Sequence, residues 1–141
     1  MATATHTMQL EIVTPMGQKL KDTVTELTAP GVMGELGILP GHIAIMTVLD
    51  IGKMSFTPSR GGGPKVLAVN GGFLEVASDR LIVLTETAEF AGEIDVARAT
   101  AAKERAEKAL ATLESGSASF EQTERARKRA ETRLVVAGAS H

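Results

Sequence analysis

Residues 81–113 read LIVLTETAEFAGEIDVARATAAKERAEKALATL, and the spacing of their apolar residues changes partway along. Leu81 to Leu84 is a short apolar run behind the turn signal Ser78-Asp79-Arg80, which is the pattern of a strand. Beyond Glu93 that pattern stops. Asp95 is placed as an N-cap, and Ala99, Ala102, Ala106, Ala109 or Leu110, and Leu113 follow the 3-4 spacing of one helical face. The spacing predicts a helix from Val96 to about Leu113. The chain therefore divides near residue 90 into a β-rich part and a helical part.

Upstream, Met8, Leu10 and Ile12 alternate with Gln9, Glu11 and Val13, the two-residue period of a strand with one buried face. Val24 to Leu27, Ile43 to Leu49, Val66 to Val69 and Phe73 to Val76 are further strand candidates. Pro15-Met16-Gly17, Pro30-Gly31, Pro40-Gly41 and Asn70-Gly71-Gly72 read as turns between them. Pro58 to Pro64, with Gly61-Gly62-Gly63, reads as a hairpin tip. Many short strands at this spacing predict a sandwich or flattened barrel.

Downstream, Glu114 to Ala118 interrupts the first helix. Ser119 and Gln122 resemble a capping box that opens a second helix, with Phe120, Thr123, Ala126 or Arg127, Ala130 and Leu134 on one face. The short connection predicts an antiparallel two-helix hairpin. The fold class expected is thus an N-terminal β-sandwich, residues 1–88, followed by a C-terminal helical hairpin, residues 89–141. An alanine seam buries little: each position forgoes roughly 2 kcal/mol relative to leucine. Such a hairpin is suited to more than one arrangement.

Composition excludes several functions. The 141 residues contain no Cys, Trp or Tyr and four Phe, so there is no disulfide, no thiolate chemistry and no aromatic platform for bases. Fifteen Lys and Arg against seventeen Asp and Glu speak against a nucleic-acid partner, whose affinity rests on neutralised phosphates. Six basic and nine acidic residues lie before Ala91, nine and eight after it. Arg125, Arg127, Lys128, Arg129 and Arg133 make the second helix the basic element. His6, His42 and His141 form no metal-ligand spacing, so no metal is expected. Gly52-Lys53-Met54 fails as a P-loop, with Met in place of Ser or Thr and Thr47 in place of the first Gly. Leu36 to Ile51, interrupted by Pro40, His42 and Asp50, falls short of a bilayer span, and no direct membrane insertion is expected.

Several ordered motifs resemble the epsilon subunit family of F-type ATP synthases. They are Leu10-Glu11-Ile12-Val13-Thr14-Pro15, Gly34-Glu35-Leu36-Gly37-Ile38-Leu39-Pro40-Gly41-His42 and Ala68-Val69-Asn70-Gly71-Gly72-Phe73-Leu74-Glu75-Val76. Ala88-Glu89, Glu93-Ile94-Asp95-Val96-Ala97-Arg98-Ala99 and Arg129-Ala130-Glu131-Thr132-Arg133-Leu134 complete the set. Ala44 stands where the family pattern has Pro, and the glycine-rich tip at 61–63 lies outside it. The resemblance implies a rotor component of the central stalk, beside the gamma subunit and against the c-subunit ring. It implies a sandwich that couples proton flow to ATP synthesis, and helices that extend towards the alpha-beta catalytic head and restrain hydrolysis. Glu35, Leu36, Ile38, Leu39 and His42 are the rotor-interface residues it points to.

The resemblance also implies a regulatory ATP site in the closed hairpin, formed by Glu89, Ile94, Asp95, Arg98, Ala99, Arg105, Arg129 and Arg133. Arg98 and Arg105 are seven apart and share a helical face, and Arg129 and Arg133 are an i,i+4 pair. Guanidinium forks suit triphosphate oxygens. No catalytic residue is expected and no cofactor is required; ATP would be sensed there, not hydrolysed. With no targeting segment in view, the protein is expected peripherally on the cytoplasmic face of a bacterial inner membrane. Two other readings stand beside this one. One is a free-standing nucleotide-responsive adaptor. The other is a small enzyme using His42 with Glu35 or Glu89, for which no recognisable catalytic constellation exists.

Overall fold

The computed structural model describes residues 6–138; residues 1–5 and 139–141, at the outer ends of the two segments read from the sequence, lie outside the described residues, and His141 with them. Seven strands come first: β1 (Met8–Thr14), β2 (Gly17–Gly31), β3 (Gly34–Ile38), β4 (Ile45–Pro58), β5 (Lys65–Ala77), β6 (Arg80–Leu84) and β7 (Ala88–Phe90). A 3-10 turn at Ala91–Glu93 leads to α1 (Val96–Leu110) and α2 (Ala118–Gly138). Hydrogen bonding runs β1-β6-β5-β4-β2-β3, and β1 also pairs with β2, so the sheet closes on itself. Closure pairs β1, β2, β4, β5 and β6 on both sides, while β3 and β7 each pair on one side, with β2 and β5. β1 and β6 are parallel, and the other pairs are antiparallel. The expected flattened barrel followed by two helices is the architecture found.

The alternation in β1 places Met8, Leu10 and Ile12 inside, where they meet Leu27, Phe56, Leu67, Leu74, Leu81 and Val83. The ring of Phe90 sets its edge against Phe56, with centroids 6.4 Å apart. The whole of this main core lies between residues 8 and 88. A smaller patch of Ala68, Ile94 and Val136 joins the sandwich to the helices.

Four details differ from the sequence reading. Pro30-Gly31 is not a turn; it ends the long strand β2, which pairs with β3 through Pro30↔Glu35 and Gly31↔Gly34. The missing N–H of Pro30 falls where the β2–β4 ladder is interrupted between Thr28 and Gly31, so no hydrogen bond is lost there. Asn70-Gly71-Gly72 is likewise inside a strand. β5 runs through it in constant register with β4, while changing its other partner from β7 at 67–69 to β6 at 73–77. Thr85 Oγ1 accepts the Asn70 N–H across this gap at 3.1 Å.

The helix ends also shift. α1 stops at Leu110, short of Leu113. α2 is capped by Ser117, whose Oγ accepts the Phe120 N–H at 3.1 Å; Ser119 lies inside the helix and accepts from the Thr123 hydroxyl through its carbonyl. Asp95 caps α1 as expected, its carboxylate accepting the Arg98 N–H at 3.0 Å.

Candidate functional site

Helix α1 hangs chiefly on α2. Its buried residues are Ala99 and Ala106, and the facing buried residue of α2 is Ala130. The alanine seam expected from the sequence is therefore present. α2 in turn meets the sandwich on a second face, where Val136 and Ala137 pack on Val66 and Ala68. Two ion pairs flank that contact, Lys128 Nζ to Asp50 Oδ2 at 2.7 Å and Arg133 Nε to Glu89 Oε1 at 2.6 Å. Both are half-exposed, so each contributes roughly 0–1 kcal/mol. The hydrogen bond from Lys128 holds the Asp50 carboxyl below the usual carboxylate range, against partial burial, with help from the Ile51 N–H.

The lowered Asp50 value has a sign. The pair stabilises docking above the unfolded carboxylate range near about pH 4, and that contribution is lost as pH falls through the folded value. Acid is expected to loosen α2 from the sandwich before the core melts. Methyl resonances of Val136 should move below about pH 4 in the wild type, and Lys128→Ala should remove that step. A Val136 signal unchanged down to about pH 3 would show that the pair does not hold the helix.

Between α1 and the last strand lies a cleft of about 320 Å³ lined by Glu89, Glu93, Asp95, Arg98, Ala99, Ala102, Arg105 and Arg133. Six of the eight residues expected at the nucleotide site touch it. The two exceptions are instructive. Ile94 is buried in the small patch with Ala68 and Val136. Arg129 lines a neighbouring hollow with Asn70, Thr87 and Thr132. Glu89 and Arg133 line both spaces, so their ion pair is the wall between Arg129 and the cleft.

Glu93 and Ala102 were not among the expected residues. Glu93 is anchored by Lys19 Nζ at 2.5 Å and accepts the Phe90 N–H at 2.9 Å. The Lys19 hydrogen bond, then that of Phe90, holds its carboxyl below the usual range. Among the described residues Arg98 and Arg105 make no ion pair, so two guanidinium groups face the opening without a carboxylate partner. That arrangement can take an anion. Among the described residues no group of three His, Asp or Glu is placed to hold a metal ion.

The residues expected at the rotor interface divide. Leu39 is 59% exposed, Glu35 is exposed, and Leu36 and His42 are intermediate. Ile38 corrects the expectation: it is 1% exposed and belongs to the main core, because alternation along β3 turns it inward opposite Leu27. Ile43 (76% exposed) and Met46 (68%), a few residues further along the chain, are outward apolar residues as Leu39 is. A larger apolar groove of about 460 Å³ runs past Val13, Pro15, Phe73 and Leu84 on the barrel wall. Among the described residues no helix is long and apolar enough to cross a membrane.

A closed β-sandwich carrying a helical hairpin, with a cleft that holds Arg98 and Arg105 at their junction, has the architecture of a partner-binding subunit. Comparison gives the family. The model of the ATP synthase delta/epsilon chain beta-sandwich domain matches residues 7–91, and that of the long alpha-helix domain matches 93–138. ATP synthase epsilon chain 2 of Syntrophotalea carbinolica is 44% identical over 93% of this chain and 94% of its own length. The ATP synthase epsilon chain of Trichlorobacter lovleyi is 47% identical over the same shares. A chain in the cryo-EM structure of the Euglena gracilis mitochondrial ATP synthase, with OSCP, F1 and c-ring, shares the fold at TM-score 0.80 and 22% identity, covering 98% of this chain and 84% of that one. The chain belongs to the ATP synthase delta/epsilon family, among its epsilon chains.

Proposed function

We propose that this protein is a non-catalytic rotor subunit whose sandwich couples the gamma subunit to the c-subunit ring and whose hairpin restrains ATP hydrolysis when it extends to the alpha-beta head. Its place is peripheral, on the cytoplasmic face of a bacterial inner membrane. The observation that carries the regulatory half is the weak attachment of the helices. One buried valine, an alanine seam and two half-exposed ion pairs hold them. A segment held by a few kcal/mol can exist in two arrangements, and a partner or ligand that prefers one can shift the balance. The sandwich, by contrast, has a closed sheet and its own core, as a torque-bearing part requires.

The cleft supports a second element of the proposal, that ATP binds the closed hairpin and disfavours the extended one. Arg98, Arg105 and Arg133 converge there from both helices. A ligand at 100 times its Kd stabilises the state it binds by about 2.7 kcal/mol, comparable to the docking contacts just described. Arg98→Ala is expected to weaken ATP binding about tenfold or more, since charge-assisted hydrogen bonds contribute roughly 1.5–3 kcal/mol. Arg129→Ala should matter less than the sequence pattern implies, because the Glu89–Arg133 pair separates it from the cleft. Lys103→Ala should do little. Isothermal titration of the isolated subunit checks all three; no heat with ATP in the wild type would remove the nucleotide from the proposal. The free-standing adaptor is separated by copurification, since a rotor subunit is recovered stoichiometrically with alpha, beta and gamma.

A further inference from the structure

The β5–β6 connection is a two-residue hairpin turn, with Ala77 paired to Arg80. Its two residues, Ser78 and Asp79, have φ of 50° and 59°, the left-handed region, and neither is glycine. Two-residue hairpins of this kind favour Asn-Gly, because both positions need positive φ. Serine has no such preference, so this turn is locally less favourable than the same turn built from Asn-Gly.

What the turn achieves is an aim. The Asp79 carbonyl accepts the Gln9 N–H at 2.9 Å, fixing the turn to the start of β1. Its Oδ1 accepts the Gly41 N–H at 2.7 Å, reaching 38 residues back along the chain. Gly41 sits in the segment 39–44, which joins β3 to β4 without strand partners. Within that segment the His42 N–H donates to the Leu39 carbonyl at 3.1 Å, and His42 Nδ1 lies 2.7 Å from the Ile43 carbonyl. These bonds shape the loop but tie it to nothing else. Among the described residues, the Asp79 carboxylate is the hydrogen bond that links this loop to a distant part of the fold.

We propose that Asp79 is a positioning residue for the rotor-facing surface: its carboxylate orders the Pro40-Gly41-His42 loop so that Leu39 and Ile43 are presented to the c-subunit ring already arranged. This rests on the proposed assignment of that surface to the ring. A loop ordered beforehand loses less conformational freedom on docking, and binding is tighter by that amount. A glycine at position 79 would suit the turn better and would abandon the loop. Aspartate, like asparagine, tolerates the left-handed backbone and supplies an acceptor.

That conflict provides the test. Ser78→Asn with Asp79→Gly installs the favoured turn and removes the carboxylate. The double variant is expected to melt no lower than wild type. Its Gly41 amide should exchange about tenfold faster, and it should bind about fivefold more weakly to membranes holding the motor stripped of this subunit. Asp79→Asn, which keeps an acceptor and tolerates the left-handed region, should stay near wild type in both measurements. Unchanged Gly41 exchange in the double variant would overturn the proposal, as would faster exchange with unchanged binding. Leu39→Ser with Ile43→Ser in the same assay separates the premise. If that pair binds like wild type, the surface itself is misassigned and the proposal falls with it. If it binds weakly while the turn variant does not, only the positioning role is lost.

Discussion

Gly72→Ala is expected to abolish or nearly abolish folding of the sandwich. A Cβ at position 72 would stand 1.8 Å from the Leu84 carbonyl oxygen and 2.9 Å from the Thr85 Cα, both backbone atoms. The φ of +111° is also one that side chains other than hydrogen rarely adopt. Strain of this backbone type costs on the order of 1–3 kcal/mol before any clash is counted. The clash cannot be relieved by a rotamer change. The Leu84 carbonyl belongs to β6, which is paired on both sides, to β1 and to β5. Relief therefore requires β5 to separate from β6, beside Leu74, Leu81 and Val83 in the core. A total above about 4 kcal/mol would consume much of the stability of a domain this size. Gly37→Ala is the control, because its added Cβ meets nothing within 4 Å and its φ is ordinary. Urea unfolding of both variants checks the contrast. A Gly72→Ala protein with a midpoint near wild type would mean that β5 and β6 are not pressed together there.

The same glycine pair marks a limit of reading from the chain alone. Asn70-Gly71-Gly72 carries every local sign of a turn, and the local signs are correct: both glycines have positive φ. What local chemistry does not encode is that Leu49 and Ile51 of β4 keep pairing across the bend, with Gly72 and Asn70. Strand alternation in β1, the break near residue 90 and the alanine seam were legible because each depends on residues close in sequence. The resemblance points to Ile38 as an interface residue, whereas Gly34–Ile38 is a strand that buries its last residue, which the motif alone does not reveal. At the cleft, Asp95, Arg98 and Arg105 are named by the family resemblance, and helical spacing puts Arg98 and Arg105 on one face. Lys128–Asp50 spans 78 residues and Lys19–Glu93 spans 74, and no periodicity reports contacts at that range. Arg129 and Arg133 share a helix face by spacing and line one hollow, yet only Arg133, paired with Glu89, also reaches the cleft.

Deleting residues 91–141 is expected to leave a folded sandwich and a motor that still synthesises ATP but hydrolyses it severalfold faster. The first half follows from where the buried residues are. The main core lies within residues 8–88, and Phe90, which packs on Phe56, is retained. The deletion uncovers Val66 and Ala68, a small patch, and removes the contact of Val136, worth roughly 1.5–3 kcal/mol if fully buried. Lost with it are the Lys128–Asp50, Arg133–Glu89 and Lys19–Glu93 pairs, all with partners that remain solvated on the sandwich. A moderate fall in melting temperature is therefore expected, with one cooperative transition. The second half follows from the division of roles. The surface of Leu39, Ile43 and Met46 is untouched by the deletion, so the rotor connection persists. The element that would restrain the catalytic head is gone, and with it the dependence of hydrolysis on the balance between docked and extended helices. Few docking contacts are what the proposed departure of the helices requires. A hairpin bonded to the sandwich by a leucine-filled seam would gain several kcal/mol and would never reach the head at physiological populations. Calorimetry of the truncated chain and paired synthesis and hydrolysis rates of the reconstituted motor test both halves. An unfolded truncated chain would place the helices in the structural core, and loss of synthesis with a folded sandwich would assign them the coupling itself.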